Sequence, residues 1–390
     1  MGDIENDRSH YQRAWEISKH RYARAQTALA ELFIREKHWE EARAAYRLAV
    51  GVNRLNPDMW NRLGDINLRL GDFSEAASDF RRSIAIAGDA VGTEDARTWS
   101  NLGSALYSLY VERIQELKEQ KGVEKDAAEP KAATDTLDEE ADDATAEKTA
   151  QQSPSEFLSQ SLAAYRRGAS LSVDNWQIWD NVITLGARLR PPAAADILLA
   201  LRHVIRIRNT EEALDIEVLR LLLNDVVLSK EKPGSESGVY QPPRGTSQKA
   251  VCDLLEDMVV PLITTRSELW ELVARQRVWR RDYAGAVDAS ERAWRAAIGA
   301  VGAGLLPGAG TAADAQSNWL ENKEAWETVV ERTDDLVSIL ENYGEDVPDL
   351  GSKWKAKARS AIRSVLGKAK DSWEDSEAWN RLKDLQEGLR

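Results

Sequence analysis

Fourteen tryptophans in 390 residues recur in similar local contexts, and this recurrence limits the possible folds more than any other feature of the sequence. Trp60 is followed by Leu63 and Gly64, and further along by Ala76 and Phe80. Large and small residues at fixed spacing indicate a pair of antiparallel helices. The small residues lie where the helix axes approach each other, and the large ones fill the space beside them.

The same pattern recurs along the chain, which predicts a repeat protein. Further copies begin at Gln26, 34 residues before Trp60, and at Trp99, Trp179 and Trp270. The spacing and the order of side chains are those of the tetratricopeptide repeat. Because one helical pair cannot bury its apolar face alone, the pairs must stack. We therefore expect an all-α protein. It would be a right-handed α-solenoid of about five tetratricopeptide-like pairs with an extra helical pair and a C-terminal helical cap.

The pattern also predicts how the chain is divided. The order is N-terminal repeats at 1–118 with an incomplete first pair, a disordered acidic insertion at 119–154, repeats 3–4 and an extra helix at 155–230, a loop at 231–248, a helix and repeat 5 at 249–299, a loop at 300–315, and the cap at 316–390. Within the cap we predict helices at about 316–342, 350–368 and 371–389. Tyr11, Ala14 and Ser18 resemble a second helix that lacks its first, so we expect the C-terminal part of a longer protein.

The tryptophans fall into two groups. Those at the packing position of the repeat are expected in the core: Trp60, Trp99, Trp179 and Trp270. Three others lie outside the pattern, namely Trp176, Trp279 and Trp294. They either pack against neighbouring helices or serve as exposed anchors for a partner, since tryptophan is common at interface hot spots.

The predicted insertion is unusually acidic. Residues 124–150 contain ten Asp or Glu and three Lys, with almost no large apolar side chain. Such a composition cannot offset the entropy lost on ordering, which predicts disorder. The simplest interpretation is a solubilising spacer open to phosphorylation, and the alternative is a segment that docks on a basic partner.

Several function classes are disfavoured by composition. The net charge of 52 − 65 = −13 argues against general nucleic-acid binding. No apolar run is long enough to cross a membrane. The lone cysteine, Cys252, excludes an internal disulfide, fits a reducing compartment, and lies on the apolar side of a predicted helix. The glycines between 302 and 310 lack the Gly-Lys-Ser/Thr ending of a phosphate loop. We therefore predict no enzyme activity, no catalytic residues, no metal and no cofactor.

Binding is the stronger prediction, because a solenoid forms a concave surface from its first helices. The repeat pattern predicts the following protein-binding residues on that surface: Arg24, Arg35, Arg62, Arg69, Arg97, Asn101, Asn181 and Arg188. Arginine and asparagine there could hold a peptide backbone or its carboxylates. The alternative for each residue is a merely solvated inner face.

Three longer motifs resemble a known family. They are the segments at 11–26 (YQRAWEISKHRYARAQ), at 175–181 (NWQIWDN), and at 267–272 (SELWEL) with Trp279-Arg280-Arg281. Together they resemble signatures of the tetratricopeptide repeat protein 27 family, whose fungal members are named for maintenance of the cell wall. The resemblance covers nearly the whole chain in order, and the acidic insertion is its main departure.

That resemblance implies a eukaryotic protein of the cytoplasm, and also of the nucleus. The family is linked to chaperone-assisted assembly, including the network around Hsp90 and the maturation of a spliceosomal GTPase, and it brings no catalytic residues. The leading hypothesis is a non-enzymatic, monomeric scaffold or co-chaperone that holds a client or assembly factor on its concave face. The alternative is a structural half that supports an N-terminal region where partners bind.

A direct grip on the acidic tail of Hsp90 or Hsp70 is not expected. A two-carboxylate clamp needs lysine and asparagine on the first helix of one repeat, asparagine on the next, and lysine with arginine on the third. The first three repeats instead offer Thr27 and Glu31, then Arg62, then Arg97 and Asn101. A start one repeat later offers Asn61 and Asp65, then Asn101, then Gln177 and Asn181.

We therefore predict that a free Met-Glu-Glu-Val-Asp peptide does not bind, because Glu31 or Asp65 would repel its carboxylates. Titration calorimetry with the free peptide measures this directly. Binding that disappears in an Asn101→Ala variant would contradict the prediction, and any link to Hsp90 is expected to be indirect.

Overall fold

A computed structural model describes residues 2–88, 94–126, 152–229, 238–299, 319–374 and 376–389. The chain forms two compact units, Met1–His203 and Val204–Arg390. Every regular element in the described ranges is a helix, which confirms the predicted all-α class. Within those ranges, no helix combines the length and the apolar character that a membrane span requires.

The first unit is built of helices that pack in chain order, each against the next. They are α1 (Gly2–Ile17), α2 (Ala23–Arg35), α3 (Trp39–Val52), α4 (Pro57–Leu70), α5 (Phe73–Gly88), α6 (Ala96–Asp126), α7 (Pro154–Leu171), α8 (Trp176–Arg188) and α9 (Ala194–Arg208), which runs across the boundary between the units. The pairs α2–α3, α4–α5, α6–α7 and α8–α9 correspond to the predicted repeats 1 to 4.

The second unit contains the fifth predicted pair and the cap. Its helices are α10 (Ile216–Leu222), α11 (Ser247–Leu254), α12 (Ser267–Trp279), α13 (Tyr283–Gly299), α14 (Lys323–Tyr343), α15 (Trp354–Trp373) and α16 (Glu377–Gly388). Helices α10 and α11 continue as π-helical turns, Leu223–Leu228 and Leu255–Val259. Such turns widen the helix locally and are frequent at functional sites.

Contact between a small and a large residue holds each repeat together. A methyl group added at Gly64 would lie 2.8 Å from the Phe80 ring, and one at Gly103 would lie 2.5 Å from the Tyr165 ring. Both distances are shorter than van der Waals contact, so in these two repeats the ring of the second helix packs directly against the glycine backbone of the first. The Ser161 hydroxyl also donates a 2.7 Å hydrogen bond to the Gly103 carbonyl.

The tryptophans of the repeat pattern differ in burial more than the sequence suggests. Trp179 and Trp270 are buried, whereas Trp60 and Trp99 are only half-buried. The indole N–H of Trp60 donates to the Arg54 carbonyl at 2.8 Å. Trp279, outside the repeat pattern, is buried in the second unit.

Some element boundaries differ from the prediction because of local side-chain chemistry. Helix α6 continues past residue 118 to Asp126, through a stretch rich in Glu, Gln and Lys, which are good helix formers. Helix α14 begins at Lys323 rather than at 316, because the Asn322 side chain caps it by accepting from the Glu324 and Ala325 N–H groups.

The last two helices are also shifted. Helix α15 begins at Trp354 after a short 3₁₀ turn and runs to Trp373, and Ser376 caps α16 by accepting from the Trp379 N–H. The break between them therefore lies at 374–376, not at 369–370.

Three predicted segments lie wholly or partly outside the described residues. They are most of the insertion (127–151), part of the 231–248 loop, and the whole 300–315 loop.

A tryptophan cluster forms the centre of the second unit's cap. Trp319 and Trp326 are fully buried with ring centroids 5.7 Å apart, and Trp373 stacks on Trp326 at 6.0 Å. The Trp373 indole donates to the Trp319 carbonyl at 2.9 Å, which ties α15 to the segment that precedes α14. Large aromatic side chains supply much buried apolar area, and this cluster joins the long helices of the cap.

A carboxylate joins two segments that are distant in sequence within the same unit. Glu211 accepts hydrogen bonds from the backbone N–H groups of Thr264, Thr265 and Arg266 at 2.9–3.1 Å. Burial alone would raise the pKa of Glu211, but a hydrogen bond from the Thr264 hydroxyl and these backbone hydrogen bonds together lower it to about 2. Such a carboxylate stays ionised throughout the physiological range and fixes the turn that precedes α12.

We predict that Gly103→Ala destabilises the first unit by about 1–3 kcal/mol, because the added methyl group forces α6 and α7 apart. Gly51→Ala is the matched control, since a methyl group at this helical position meets nothing within 4 Å. The control should be neutral or stabilising by up to about 1 kcal/mol. Urea denaturation of both variants measures the difference, and equal effects would show that the Gly103–Tyr165 contact is not tight.

Candidate protein-binding surfaces

The eight predicted binding residues all lie on first helices of the first unit. Two lie on each of α2, α4, α6 and α8, in the order Arg24 and Arg35, Arg62 and Arg69, Arg97 and Asn101, Asn181 and Arg188. We call the surface formed by these eight residues the first-helix face. All are exposed except Asn101, which is half-buried.

The first contact network on this face links repeats 1 and 2. The Tyr46 hydroxyl donates to the Glu31 carboxylate at 2.7 Å, and Arg62 lies 3.8 Å from the same carboxylate. Burial, and then the hydrogen bond to Glu31, raise the pKa of Tyr46, which therefore remains a protonated donor. Glu31 is thus held from both sides and lies between the two repeats.

A second network links repeats 2 and 3 in the same way. The Asn101 amide donates to Asp65 at 2.7 Å, and Arg97 lies 3.6 Å from the same carboxylate. Burial raises the pKa of Asp65, while nearby Arg97, Arg62 and Arg69 act in the opposite direction. Arg62, Arg97 and Asn101 are therefore engaged with neighbouring repeats, in addition to any partner they contact.

Two further arginines are held by aromatic rings. The guanidinium of Arg69 lies over Trp39 at 4.8 Å, and that of Arg188 lies over Tyr107 at 5.2 Å. Stacking covers the flat face of a guanidinium but leaves its N–H edge available for hydrogen bonding. The sequence did not single out Tyr46 or Tyr107, because only the packing of adjacent helices brings their rings to this face.

The remaining members of the face, Arg24, Arg35 and Asn181, are exposed side chains near its two ends along the chain. Arg24 and Arg35 lie at opposite ends of α2, and Asn181 lies near the middle of α8. They are well placed to contact a partner, because their side chains extend into solvent.

A separate cavity of about 390 Å³ lies within the second unit. It lies among α12, α13, α14 and the π-helical turn after α10, and its walls are mostly apolar. The apolar lining includes Leu228, Ala274, Val278, Trp279, Ala293, Ile339 and Tyr343. Sequence periodicity does not predict this cavity, since it depends on how three successive helices and a π-helical turn pack together.

One wall of the cavity carries a buried arginine, Arg332. Its side chain is only 6% exposed and lies 2.9 Å from Asp335, 3.0 Å from Glu331 and 3.8 Å from Glu271. Burial raises the pKa of Asp335 to about 6 despite the attraction of Arg332, so this carboxyl remains mainly ionised at neutral pH. The three acidic groups hold the Arg332 cation at the cavity wall.

Within the described ranges, no three His, Cys, Asp or Glu side chains are grouped to hold a metal ion. Cys252 is buried, and burial raises the pKa of its thiol, which disfavours the reactive thiolate. The chemistry of both surfaces is that of hydrogen bonds, ion pairs and apolar contact.

We predict that Arg332→Ala destabilises the second unit by about 1–3 kcal/mol, because it leaves the largely buried Glu271 carboxylate without this cation. Lys323→Ala on the same helix is the control, because its i, i+4 pair with Glu327 is exposed and should contribute less than about 1 kcal/mol. Urea denaturation at pH 7 measures both variants. Similar losses would show that the Arg332 cluster is no more stabilising than a surface pair.

The comparisons with known proteins agree with this architecture. The tetratricopeptide repeat family matches residues 27–91, which contain most of repeat 1 and both helices of repeat 2. The TPR repeat-containing protein C19B12.01 of Schizosaccharomyces pombe is 28% identical, over 100% of this chain and 39% of its own length. The Essential for maintenance of the cell wall protein 1 of Saccharomyces cerevisiae is 25% identical, over 98% of this chain and 36% of its own length.

A shorter match reaches a family member outside the fungi. The tetratricopeptide repeat protein 27 homolog of Dictyostelium discoideum is 36% identical over 64 residues, which cover 16% of this chain and 8% of that protein. The chain spans less than two-fifths of the length of the two fungal relatives. Residues 27–91 are thus similar to the tetratricopeptide repeat, and the relatives bear out the resemblance of the chain to the tetratricopeptide repeat protein 27 family.

Proposed function

We propose that the chain is a non-enzymatic scaffold or co-chaperone that holds a segment of a client protein or assembly factor on the first-helix face. One observation carries the proposal: the face presents polar side chains at matching positions of four successive repeats. An extended peptide offers a backbone carbonyl at every residue, so regularly spaced arginine and asparagine donors suit it.

The networks between repeats support recognition rather than mere solvation. Glu31 with Arg62, and Asp65 with Arg97 and Asn101, fix the positions of neighbouring first helices. A surface fixed before binding loses less conformational entropy when a partner docks. Both carboxylates are already paired with cations or amides, so the face is close to neutral along its middle. Such a face suits a peptide backbone better than a densely acidic tail.

The names of the relatives indicate a cellular process for the client rather than its identity. The name of the S. cerevisiae relative refers to maintenance of the cell wall, and we propose that the client serves that process in this chain's own organism. We further propose that the protein acts as a monomer in the cytoplasm and the nucleus, on a protein partner rather than on nucleic acid or membrane. Any connection to the Hsp90 network would be indirect.

A structural role is the second candidate, and one observation favours it. Arg62, Arg97 and Asn101 are engaged by neighbouring repeats, as they would be if the face served mainly to hold the repeats together. The relatives are also much longer than this chain, and partner binding would then reside in the rest of such a protein.

Affinity capture with the chain as bait, read by quantitative mass spectrometry, separates the two candidates. The test variant is Arg24→Ala/Arg35→Ala/Asn181→Ala, which removes exposed members of the face and leaves both networks intact. The control is Arg54→Ala/Arg206→Ala/Asn53→Ala, with the same residue types and the same charge change at exposed positions outside the face. Both variants should keep the wild-type melting temperature.

For a scaffold we expect the amount of a defined set of captured proteins to fall at least tenfold with the test variant. The control should capture that set in the wild-type amount. If both variants capture the same set, binding does not use this face. The structural candidate then predicts a lower melting temperature for Arg62→Ala/Arg97→Ala/Asn101→Ala, again without loss of captured proteins.

A further inference from the structure

Helix α15 carries the most uniform charge of any helix in the described ranges. Between Asp349 and Asp371 the sequence contains no acidic residue and seven basic ones. They are Lys353, Lys355, Lys357, Arg359, Arg363, Lys368 and Lys370. This density of positive charge is unexpected in a chain whose net charge is −13.

The basic side chains have few acidic partners. Among the described residues, only Lys357 forms an ion pair, with Glu291 at 3.0 Å. Lys355 instead lies over the Trp354 ring, at 5.5 Å from its centroid. Elsewhere in the chain, exposed arginines such as Arg166 and Arg167 pair with carboxylates of a neighbouring helix or segment.

The charge pattern does not help the helix to fold. Lys355, Arg359 and Arg363 follow one another at i, i+4 spacing, where like charges repel. Lys353 and Lys355 also lie at the N-terminal end of the helix, where its dipole disfavours cations. The core face of α15 is apolar and complete without them, with Ala358, Ile362 and Val365 fully buried. Apart from Lys357, which pairs with Glu291 on α13, these cations make no ion pair within the described residues.

The outward face of α15 has a definite shape as well as a charge. At 100° per residue, Ala356, Ser360, Ser364 and Gly367 form its centre line, and all four are exposed. Lys355, Arg359, Arg363 and Lys370 lie on one side of that line and Lys357 and Lys368 on the other, while Lys353 lies just before the helix begins. A methyl group added at Gly367 would meet nothing within 4 Å, so the line is open. We call this surface, with its two rows of cations, the basic track.

We propose that the basic track binds an acidic segment of a partner protein. Its carboxylates would pair with both rows of cations, and its backbone would approach the line of small residues. From Lys353 to Lys370 the track is about 26 Å long, at a rise of about 1.5 Å per residue. Such a length suits a segment of roughly eight residues in extended form. The track lies in the second unit and does not depend on the first-helix face.

Two other polyanionic partners fit the surface less well. Nucleic-acid binders that read single strands stack bases on exposed aromatic rings, and the two tryptophans of α15, Trp354 and Trp373, are buried and half-buried. Helices that bind a membrane surface insert large apolar side chains, whereas the exposed line of the track consists of Ala, Ser and Gly. A long polyanion would also be repelled by the net negative charge of the chain.

Fluorescence anisotropy tests the proposal with the full chain and a labelled probe peptide of twelve residues, (Glu-Asp-Ala)4. The test variant is Lys355→Gln/Arg359→Gln/Arg363→Gln/Lys370→Gln, which neutralises one row. The control is Arg13→Gln/Arg21→Gln/Arg54→Gln/Arg206→Gln, with the same change in net charge at exposed positions on other elements. Circular dichroism confirms that both remain folded. We expect Kd to rise at least tenfold in the test variant and less than threefold in the control.

A second variant blocks the track without removing any cation. Ser360→Glu/Ser364→Glu places two carboxylates on the centre line, and we expect it to weaken peptide binding at least tenfold. The neutral peptide (Gln-Asn-Ala)4 should not bind, and raising the NaCl concentration from 50 to 300 mM should weaken binding of the acidic one.

Three outcomes would overturn the proposal. The first is no binding of the acidic peptide at 50 mM NaCl. The second is equal loss of affinity in the test variant and in the control, which would show that only net charge matters. The third is that a 20-nucleotide single strand, or vesicles with one-third phosphatidylserine, bind through the same four residues at least tenfold more tightly than the peptide. The track would then be a nucleic-acid or membrane surface.

Discussion

The structure of the first unit depends on how closely two helices approach within each repeat. At Gly64 and Gly103 there is no room for a methyl group, because the rings of Phe80 and Tyr165 already touch the glycine backbone. This contact fixes which side of each first helix is buried. The opposite side is left exposed, and the cross-repeat contacts of Glu31 and Asp65 can form only because the spacing of the first helices is set in this way.

The pKa values of two carboxyl groups, Asp79 and Glu211, shift in opposite directions, so polar contacts serve different purposes in the two units. In the first unit, Asp79 accepts a 2.8 Å hydrogen bond from Asn67, yet burial raises its pKa from 3.8 to about 7. A raised folded-state pKa favours the protonated form. Its contribution to stability is therefore complete below about pH 4 and is lost as the pH rises through about 7.

The pKa of Glu211 in the second unit shifts in the opposite direction. Its pKa falls from 4.5 to about 2, so its contribution is present above about pH 4.5 and is lost as the pH falls through about 2. At neutral pH the Glu211 hydrogen bonds act at full strength, whereas Asp79 is about half ionised in its buried site. The Asn67–Asp79 pair inside repeat 2 is therefore a weak point of the first unit at neutral pH.

The sequence predicted the helical pairs and the helices that carry the first-helix face, because both follow from local periodicity. It could not predict which members of the face would be paired. The Arg62–Glu31 and Arg97–Asp65 distances depend on how successive repeats stack, and no local pattern encodes that geometry. The start of α14 was missed because one capping residue, Asn322, outweighs the apolar periodicity before it.

The two proposed binding surfaces differ in the physical interaction that would select a partner. On the first-helix face, the carboxylates of Glu31 and Asp65 are already paired with groups of the same or neighbouring repeats. Recognition there would therefore depend on hydrogen-bond geometry and be only weakly sensitive to salt. On the basic track, six of the seven cations have no acidic partner among the described residues, so attraction would act over a longer range and weaken with salt. Salt dependence therefore separates the two modes of binding in one protein: capture that persists at high salt belongs to the face, and capture that is lost belongs to the track.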